Sequence, residues 1–292
     1  MTVGVCEVCC GAGSLLKTRG LNGLRAWRCQ GCGFVWIDRA DLAASRMPAC
    51  YDGYPYNERL TKQFDRMRPH YVAGFLERIG RSFGERSLGS CTFLDVGCAN
   101  GEYMWAARQV GLGDVAGVEI DAAAADRARA FGQVWGELSR VPASAYDVVQ
   151  VKNVLANVSD VASFLDSCVR TLKPHGVLWL DVLNWASLTC LLRRLASQAQ
   201  RRPRRIGVLR PPYVINAFES RTVRRLLERT GLRPEKVQTT YLGHNQLPYA
   251  PLFGLGYVGF VGWLMGRGAM LVSDSRRPPS NGCAQPSSCA RV

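Results

Sequence analysis

Short apolar runs alternate with amphipathic runs from residue 91 onward, and this alternation constrains the fold more than any other feature. Seven runs have the β-branched, apolar composition of buried strands: 92–97, 114–120, 133–138, 146–155, 177–184, 235–243 and 269–275. Helical periodicity is present at 101–111, 122–131, 160–172 and 220–231. Strands and helices that alternate at this spacing form right-handed crossovers and a parallel sheet. We therefore predict a Rossmann-like, doubly wound α/β fold with a mostly parallel seven-stranded sheet.

The chain of 292 residues divides into four regions by composition. Residues 1–45 are rich in cysteine and glycine. They are too few to form a stable hydrophobic core without additional stabilisation. Residues 46–90 contain the aromatic turn YDGYPY and a helical run that Pro69 should kink or interrupt. The α/β domain is predicted for 91–275. The remaining 276–292, rich in proline and serine, are predicted to be a disordered tail.

The chain reads FLDVGCANGEY where the first predicted strand ends. Gly97 and Gly101 let a ligand approach the backbone, and the helix that follows presents free N–H groups. Asp95 and Asn100 add polar groups at the same edge. Glu119 ends the next strand, 24 residues after Asp95, where a carboxylate can accept both hydroxyls of a ribose. A third glycine for a pyrophosphate is missing and the leading acid would repel one, so S-adenosylmethionine (SAM) is favoured over NAD.

These motifs, in this order, resemble the class I SAM-dependent methyltransferases. FLDVGCANGEY resembles the first motif of that family, VEID the acidic end of its second strand, and TLKPHGVLWLDVLN its K-P-G-G turn and fifth strand. The resemblance covers residues 91–275 and implies methyl transfer from SAM. The cofactor-binding residues that it implies are Asp95, Gly97, Cys98, Asn100, Gly101, Glu119, Ile120, Glu137, Leu138 and Lys152.

The residue that activates the methyl acceptor is harder to predict. Relatives often carry H-x-L-E-H after the fourth strand, whereas this chain has Asn153 and Asn157 at the two histidine positions. A histidine also often follows the proline–tyrosine pair before the later helix, whereas Val214 follows Tyr213 here. We expect catalytic residues among His244, Tyr213 and Asn153, and the identity of the general base stays open.

Two C-x-x-C pairs, Cys6 with Cys9 and Cys29 with Cys32, are separated by 19 residues. This spacing is typical of a four-cysteine zinc ribbon, in which each pair presents two thiolates from one tight turn. Four thiolates leave no open position for water, so the predicted zinc is structural. Cys10 is the alternative to Cys9 as a ligand.

An N-terminal zinc ribbon, a tyrosine-rich linker and a methyltransferase domain together resemble a bacterial group of small-molecule methyltransferases. The resemblance implies an acceptor such as a sugar or a secondary metabolite, methylated at O, N or C. It also implies that Tyr51, Tyr54 and Tyr56 form a lid, with packing between modules as an equal alternative. The arginine-rich stretch at 193–210 could hold a phosphate of an anionic small-molecule acceptor. The same stretch and a net charge of +14 suggest RNA base methylation as a second hypothesis. A non-catalytic scaffold, suggested by the missing histidines, is the third.

The N-terminus lacks the basic and apolar regions of a signal peptide, and twelve cysteines suit a reducing compartment, so a cytoplasmic location is expected. Residues 247–266 are uncharged and long enough to span a bilayer, but they contain five glycines and two prolines. We therefore expect this segment to be buried without stable membrane insertion, with peripheral membrane contact as the alternative. Oligomeric state stays open.

Overall fold

The computed structural model describes residues 4–17, 21–45, 58–83, 88–198, 206–240 and 270–278. Within them the strands are β1 (Gly4–Val5), β2 (Ala12–Lys17), β3 (Ala26–Cys29), β4 (Val35–Ile37), β5 (Thr92–Val96), β6 (Asp114–Val118), β7 (Gln133–Trp135), β8 (Tyr146–Lys152), β9 (Leu172–Leu183), β10 (Asn216–Ala217), β11 (Arg233–Thr240) and β12 (Met270–Arg276). The α-helices are α1 (Arg39–Ala44), α2 (Glu58–Phe83), α3 (Glu102–Gln109), α4 (Ala122–Ala128), α5 (Val161–Thr171), α6 (Leu188–Gln198) and α7 (Ser220–Arg229). The predicted lid tyrosines, His244, the segment 247–266 and most of the predicted tail lie outside the described residues.

The larger sheet has seven strands in the order β7-β6-β5-β8-β9-β12-β11. Its strands are parallel except β12, which runs antiparallel between β9 and β11. The central strands β5 and β8 are apolar and almost entirely buried, as expected for a sheet covered on both faces. The predicted α/β fold with a mostly parallel seven-stranded sheet is confirmed. None of the helices in the described part of the chain combines the length and apolar character that crossing a bilayer requires.

Three strand boundaries inside the described ranges differ from the prediction by three residues or more. β8 ends at Lys152, three residues early, because Asn153 takes a left-handed backbone conformation with φ 59°. β7 ends at Trp135 and the chain turns into a short 3-10 helix at Leu138–Arg140. β9 begins at Leu172 and includes the predicted K-P-H-G turn, within which His175 has φ 64°.

Pro69 was expected to kink or interrupt the helical run, and it does not interrupt it, because α2 is one helix of 26 residues. Pro69 is exposed on α2, where its missing N–H costs one hydrogen bond. The C-terminal half is held by packing of Phe75 on Phe93 and Trp179, with ring centroids 5.1 and 5.3 Å apart.

The smaller sheet connects the cysteine-rich region to the α/β domain. Its order is β1-β2-β3-β4-β10, and β10 is contributed by the α/β domain, pairing antiparallel with β4. Phe34 packs on Phe218 at 5.4 Å between ring centroids, so the two regions share one apolar core. The division of the chain at residue 45 stays a prediction from composition.

Asn216 secures this junction with a fully buried side chain. Its Nδ2 donates to the carbonyl oxygens of Leu155, at 2.8 Å, and Val158, at 2.7 Å. Its Oδ1 accepts from Nη2 of Arg39, which belongs to α1, at 2.7 Å. One amide therefore ties the cysteine-rich region to the loop that follows β8.

Asn216→Ala should lower the free energy of unfolding by about 2–3 kcal/mol, because the carbonyls of Leu155 and Val158 lose a donor and Arg39, which keeps Glu7, loses one acceptor. Urea denaturation measures this, with Gln109→Ala, which truncates an exposed amide on α3, as the matched control. Equal unfolding midpoints for the two variants would contradict the anchoring role of Asn216.

Candidate functional site

The glycine turn after β5 is shaped by three residues in left-handed backbone conformations. Gly97, Ala99 and Gly101 have φ values of 78°, 51° and 85°. The N–H of Gly97 donates to the carbonyl of Val118 at 2.8 Å, which fixes the turn against β6. A Cβ on Gly97 would run into the side chain of Val154. The turn therefore requires glycine, and it presents backbone where the parallel strands end.

Glu119 lies beside this turn with its carboxylate buried. One oxygen accepts the N–H of Ala99 and the other accepts the N–H of Asp121, each at 2.9 Å. Each carboxylate oxygen has two lone pairs, so each keeps one for a further donor. This arrangement fits a ligand with two adjacent hydroxyl groups, as the sequence predicts for a ribose.

Asp95 is buried at the end of β5 and accepts a hydrogen bond from Nε2 of Gln150 at 3.1 Å. Burial raises the pKa of Asp95 to about 7, and the nearby carboxyls of Glu102 and Glu119 add to the rise, while Gln150 and Lys152 oppose it. Burial likewise raises the pKa of Glu102. The three carboxyl groups thus lie close enough to repel one another, and a cationic ligand would relieve their repulsion.

The remaining residues predicted at the turn have different environments. Cys98 is buried, and burial raises the pKa of its thiol. Asn100 accepts a hydrogen bond from Nε of Arg127 at 2.7 Å, which links the turn to α4. A Cβ on Gly101 would approach the Phe131 ring to 2.8 Å, so this position also requires glycine.

Three further predicted contacts follow the next two strands. Ile120 is 62% exposed directly after Glu119, where it offers apolar surface for a flat ring. Leu138 packs partly buried against the core. Glu137 is exposed and accepts from the hydroxyl of Ser139 at 3.1 Å. The structure thus brings the turn, Glu119 and Ile120 to one edge of the sheet.

A buried ionic network next to Asp95 was not predicted from the sequence. Lys152 donates to the hydroxyl of Tyr103 and lies 3.8 Å from Oδ2 of Asp181. Arg78 on α2 binds Asp181 at 2.9 Å and Asp274 at 2.8 Å. Burial alone would lower the pKa of Lys152, but Tyr103 and Asp181 raise it above its ordinary value. Lys152 therefore keeps its proton at neutral pH and acts as a fixed cation rather than as a base.

The acceptor-side candidates Asn153 and Tyr213 lie on neighbouring segments. The N–H of Ile215 donates to the carbonyl of Ala156 at 2.8 Å, which holds the segment containing Tyr213 against the loop after β8. Oδ1 of Asn153 is buried without a hydrogen-bond partner among the described residues. Tyr213 is half-buried with the Arg210 guanidinium 5.5 Å from its ring centroid. An unpaired buried acceptor such as Asn153 Oδ1 suits a ligand donor.

The four predicted metal ligands form a second site. The sulfur atoms of Cys6, Cys9, Cys29 and Cys32 all lie within 4.8 Å of one another. Cys10 is exposed and does not belong to this cluster.

Glycine borders the sulfur cluster where space is tightest. A Cβ on Gly11 would lie 3.3 Å from the sulfurs of both Cys9 and Cys29. Four thiols around a centre that the backbone approaches this closely fit a tetrahedral metal with sulfur ligands, of which zinc is the usual example.

Comparisons with known proteins agree with the fold. A family model described as "Methyltransferase domain" matches residues 64–237. The ribosomal protein L11 methyltransferase of Dechloromonas aromatica (strain RCB) is 39% identical over 112 residues, which is 36% of this chain and 36% of that protein. The chain thus aligns with about a third of that relative's length.

Solved structures are similar at lower identity. One is a chain of the complex between the Haloferax volcanii Trm112 methyltransferase activator and a methyltransferase, at 15% identity and a TM-score of 0.53, covering 77% of this chain and 97% of that one. Another is a SAM-dependent methyltransferase from Mesorhizobium loti, at 19% identity and a TM-score of 0.47, covering 66% and 93%. The similarity to the Haloferax volcanii structure supports the fold of this chain and nothing further.

Asp95→Asn should flatten the dependence of stability on pH between about pH 4 and 7. The folded pKa lies above the unfolded one, so the unfolded carboxyl loses its proton first and wild-type stability falls as pH rises through this window. The loss from this group approaches about 1.4 kcal/mol for each pH unit. Denaturation at a series of pH values measures it, with the exposed Asp126→Asn as control. Parallel pH profiles for wild type and Asp95→Asn would show that Asp95 titrates normally.

Proposed function

The chain belongs to the methyltransferase domain family, and on that premise we propose that it transfers the methyl group of SAM to a small-molecule acceptor. Family membership makes it a SAM-dependent methyltransferase. SAM supplies a methyl group activated by the positive charge of a sulfonium. The enzyme's own task is to hold the donor, align the acceptor and remove a proton where the acceptor requires it.

We assign cofactor binding to the edge formed by β5 and β6. The carboxylates of Asp95 and Glu119, together with Glu102, favour the cationic donor, and Glu119 retains acceptor capacity for two hydroxyls. Ile120 and Leu138 offer apolar surface for the adenine ring. The close approach of backbone at the glycine turn completes the site.

The pairing of arginines with carboxylates in the cysteine-rich region favours a small acceptor over RNA. RNA binding needs cations free to contact phosphates. Within 4–45, three arginines are instead held by carboxylates, in the pairs Arg25–Asp41 at 2.7 Å, Arg28–Glu219 at 2.5 Å and Arg39–Glu7 at 2.6 Å. The region therefore contributes to stability and docking, and this neutralisation is the observation on which the choice of acceptor class depends.

On the acceptor side, Asn153 is assigned to orient the nucleophile. Its unpaired Oδ1 can accept a hydrogen bond from an acceptor hydroxyl or amine. Tyr213 flanks the same loop and closes the acceptor side. His244, the third catalytic candidate from the sequence, lies outside the described residues, and the identity of the general base stays open.

To identify the acceptor class, the enzyme is incubated with methyl-tritiated SAM and a cell extract. The distribution of tritium among small molecules, protein and RNA is then measured. We expect label in the dialysable fraction.

Glu119→Gln should bind SAM on the order of tenfold more weakly, because its amide NH₂ must face one of the two backbone N–H groups from which the carboxylate accepts hydrogen bonds. The exposed Glu228→Gln is the matched control and should behave as wild type.

Other distributions would overturn the proposal in distinct ways. Label in protein would point to an acceptor like that in the name of the curated relative, and label in RNA to base methylation. SAM binding by calorimetry without any labelled product would favour the non-catalytic scaffold. Unchanged SAM affinity in Glu119→Gln would remove the assignment of the cofactor site itself.

We also propose that the four-cysteine cluster holds a structural zinc ion. The sulfurs of Cys6, Cys9, Cys29 and Cys32 are close enough to share one ion, and four thiolates leave no position for a catalytic water. The cluster lies in the apolar core that the small sheet shares with the α/β domain. The zinc would therefore stabilise the junction rather than take part in methyl transfer.

Metal analysis of purified protein should give about one zinc ion per chain. Cys9→Ser should lose most of the metal and unfold at lower denaturant concentration, since one sulfur ligand is gone. Cys10→Ser, which changes the neighbouring cysteine outside the cluster, should retain it. Loss of zinc from Cys10→Ser with retention in Cys9→Ser would reverse the ligand assignment.

A further inference from the structure

A pair of hydrogen-bonding side chains, Tyr103 and Lys152, lies at the point of the large sheet where the strand order reverses. After β5 the sheet grows through β6 and β7 on one side, and then through β8 and β9 on the other. Open α/β sheets bind ligands in the crevice at such a point. Lys152 ends β8, and Tyr103 lies in the first turn of α3, which follows β5. Nζ of Lys152 donates to the Tyr103 hydroxyl and lies 4.4 Å from the centre of its ring, so the two side chains meet at this crevice.

Both members of this pair have further hydrogen atoms to donate. Lysine only donates, so the Tyr103 oxygen accepts the hydrogen bond and its own hydrogen points elsewhere. No acceptor for that hydrogen is present in the described part of the chain. Lys152 has three N–H groups, and Oδ2 of Asp181, at 3.8 Å, is near enough for an ion pair but too far for a hydrogen bond. Two donors at one point, one of them cationic, suit a carboxylate, which only accepts.

Carboxyl groups lie beside this pair at the same edge of the sheet. Gln150 is on the same face of β8 as Lys152, two residues earlier, and donates to Asp95 at 3.1 Å. Two residues along a strand span roughly 6.6 Å. An acid and a cation thus follow one another over a distance that an α-amino-acid headgroup, with its ammonium and its carboxylate on one carbon, can bridge.

We propose that Tyr103 and Lys152 bind the α-carboxylate of SAM, with the ammonium of the same headgroup beside Asp95 and Glu102. This inference rests on the proposed SAM site and adds the donors for its methionine end. The ribose would bind on the β6 side of β5, at Glu119, and the headgroup on the β8 side. No motif in the sequence indicates Tyr103, because its role depends on a lysine 49 residues away.

A phosphate or another anion without an ammonium fits this point less well. The carboxyl groups of Asp95, Glu102 and Glu119 lie nearby and would repel it. The charge of Lys152 is also already shared with Asp181. A headgroup whose own ammonium pairs with the acids avoids this repulsion, and an amino acid is such a headgroup.

The test compares two ligands by calorimetry on the full-length protein: S-adenosylhomocysteine, which has the headgroup, and 5′-methylthioadenosine, which lacks it. Tyr103→Phe keeps the ring and its edge contact with Tyr71 and loses only the hydroxyl. It should bind S-adenosylhomocysteine about tenfold more weakly, because the carboxylate loses a donor, and bind 5′-methylthioadenosine as wild type does. Lys152→Met should show the same pattern. The matched control is Tyr146→Phe, which removes a phenol hydroxyl at the opposite end of β8 and should bind both ligands as wild type does.

Failure of this inference and failure of the proposed function give different results. If Tyr103→Phe and Lys152→Met bind S-adenosylhomocysteine as wild type does, or lose affinity equally for both ligands, the carboxylate assignment is wrong and the nucleoside site stands. Unchanged affinity for S-adenosylhomocysteine with slower transfer of tritium from SAM to a cell extract would assign the pair to the acceptor and also overturn it. Wild-type protein that binds neither ligand would remove the proposed function together with this inference. Thermal melting of all variants checks that the fold is intact.

Discussion

The hydrogen bonds of the Glu119 carboxylate hold the candidate cofactor site together. They join the turn after β5 to the exit of β6, so the edge of two parallel strands becomes one rigid unit. Rigidity has an electrostatic cost, because burial raises the pKa values of Asp95 and Glu102 and the nearby Glu119 adds to the rise. Carboxyl groups held in fixed positions in this way favour a cationic ligand. Such preorganised charge is the means by which enzymes stabilise charged ligands.

The same edge is supported from behind by paired charges. Arg78 brings Asp181 and Asp274 together, and Lys152 joins Asp181 from the next strand. Buried ions stabilise a fold only when each has partners, and removing one leaves the others costly. Because Arg78 belongs to α2, this network also fixes the helix that precedes the α/β domain against the sheet. The position of α2 beside the site is therefore set by electrostatics as well as by aromatic packing.

The sequence was sufficient to predict which residues come together when motif spacing or strand order alone determines it. Parallel strands bring their carboxyl ends to one edge, so Asp95 and Glu119 could be placed together from their positions alone, and the two C-x-x-C pairs defined their own cluster. Contacts between distant segments could not be predicted: Arg78 and Asp181 are 103 residues apart, and Arg78 belongs to no motif. Gln150 and Asp181 do interrupt apolar strands, which is a usable signal for a polar site. Strand ends were misplaced where a single residue, Asn153 or His175, adopts a left-handed conformation.

The arginines that give the chain its net charge of +14 have different partners in different regions. In the cysteine-rich region the arginines are spent on carboxylates, one of them the Glu219 that begins α7, so their role is to hold the small sheet on the domain. Residues 182–218 contain no aspartate or glutamate, and two guanidinium groups there lie against aromatic rings instead, Arg194 at 4.8 Å from the centre of the Trp185 ring and Arg210 at 5.5 Å from that of Tyr213. Arginine thus joins segments of this chain in two ways, by ion pairs where carboxylates are near and by packing on aromatic rings where they are not.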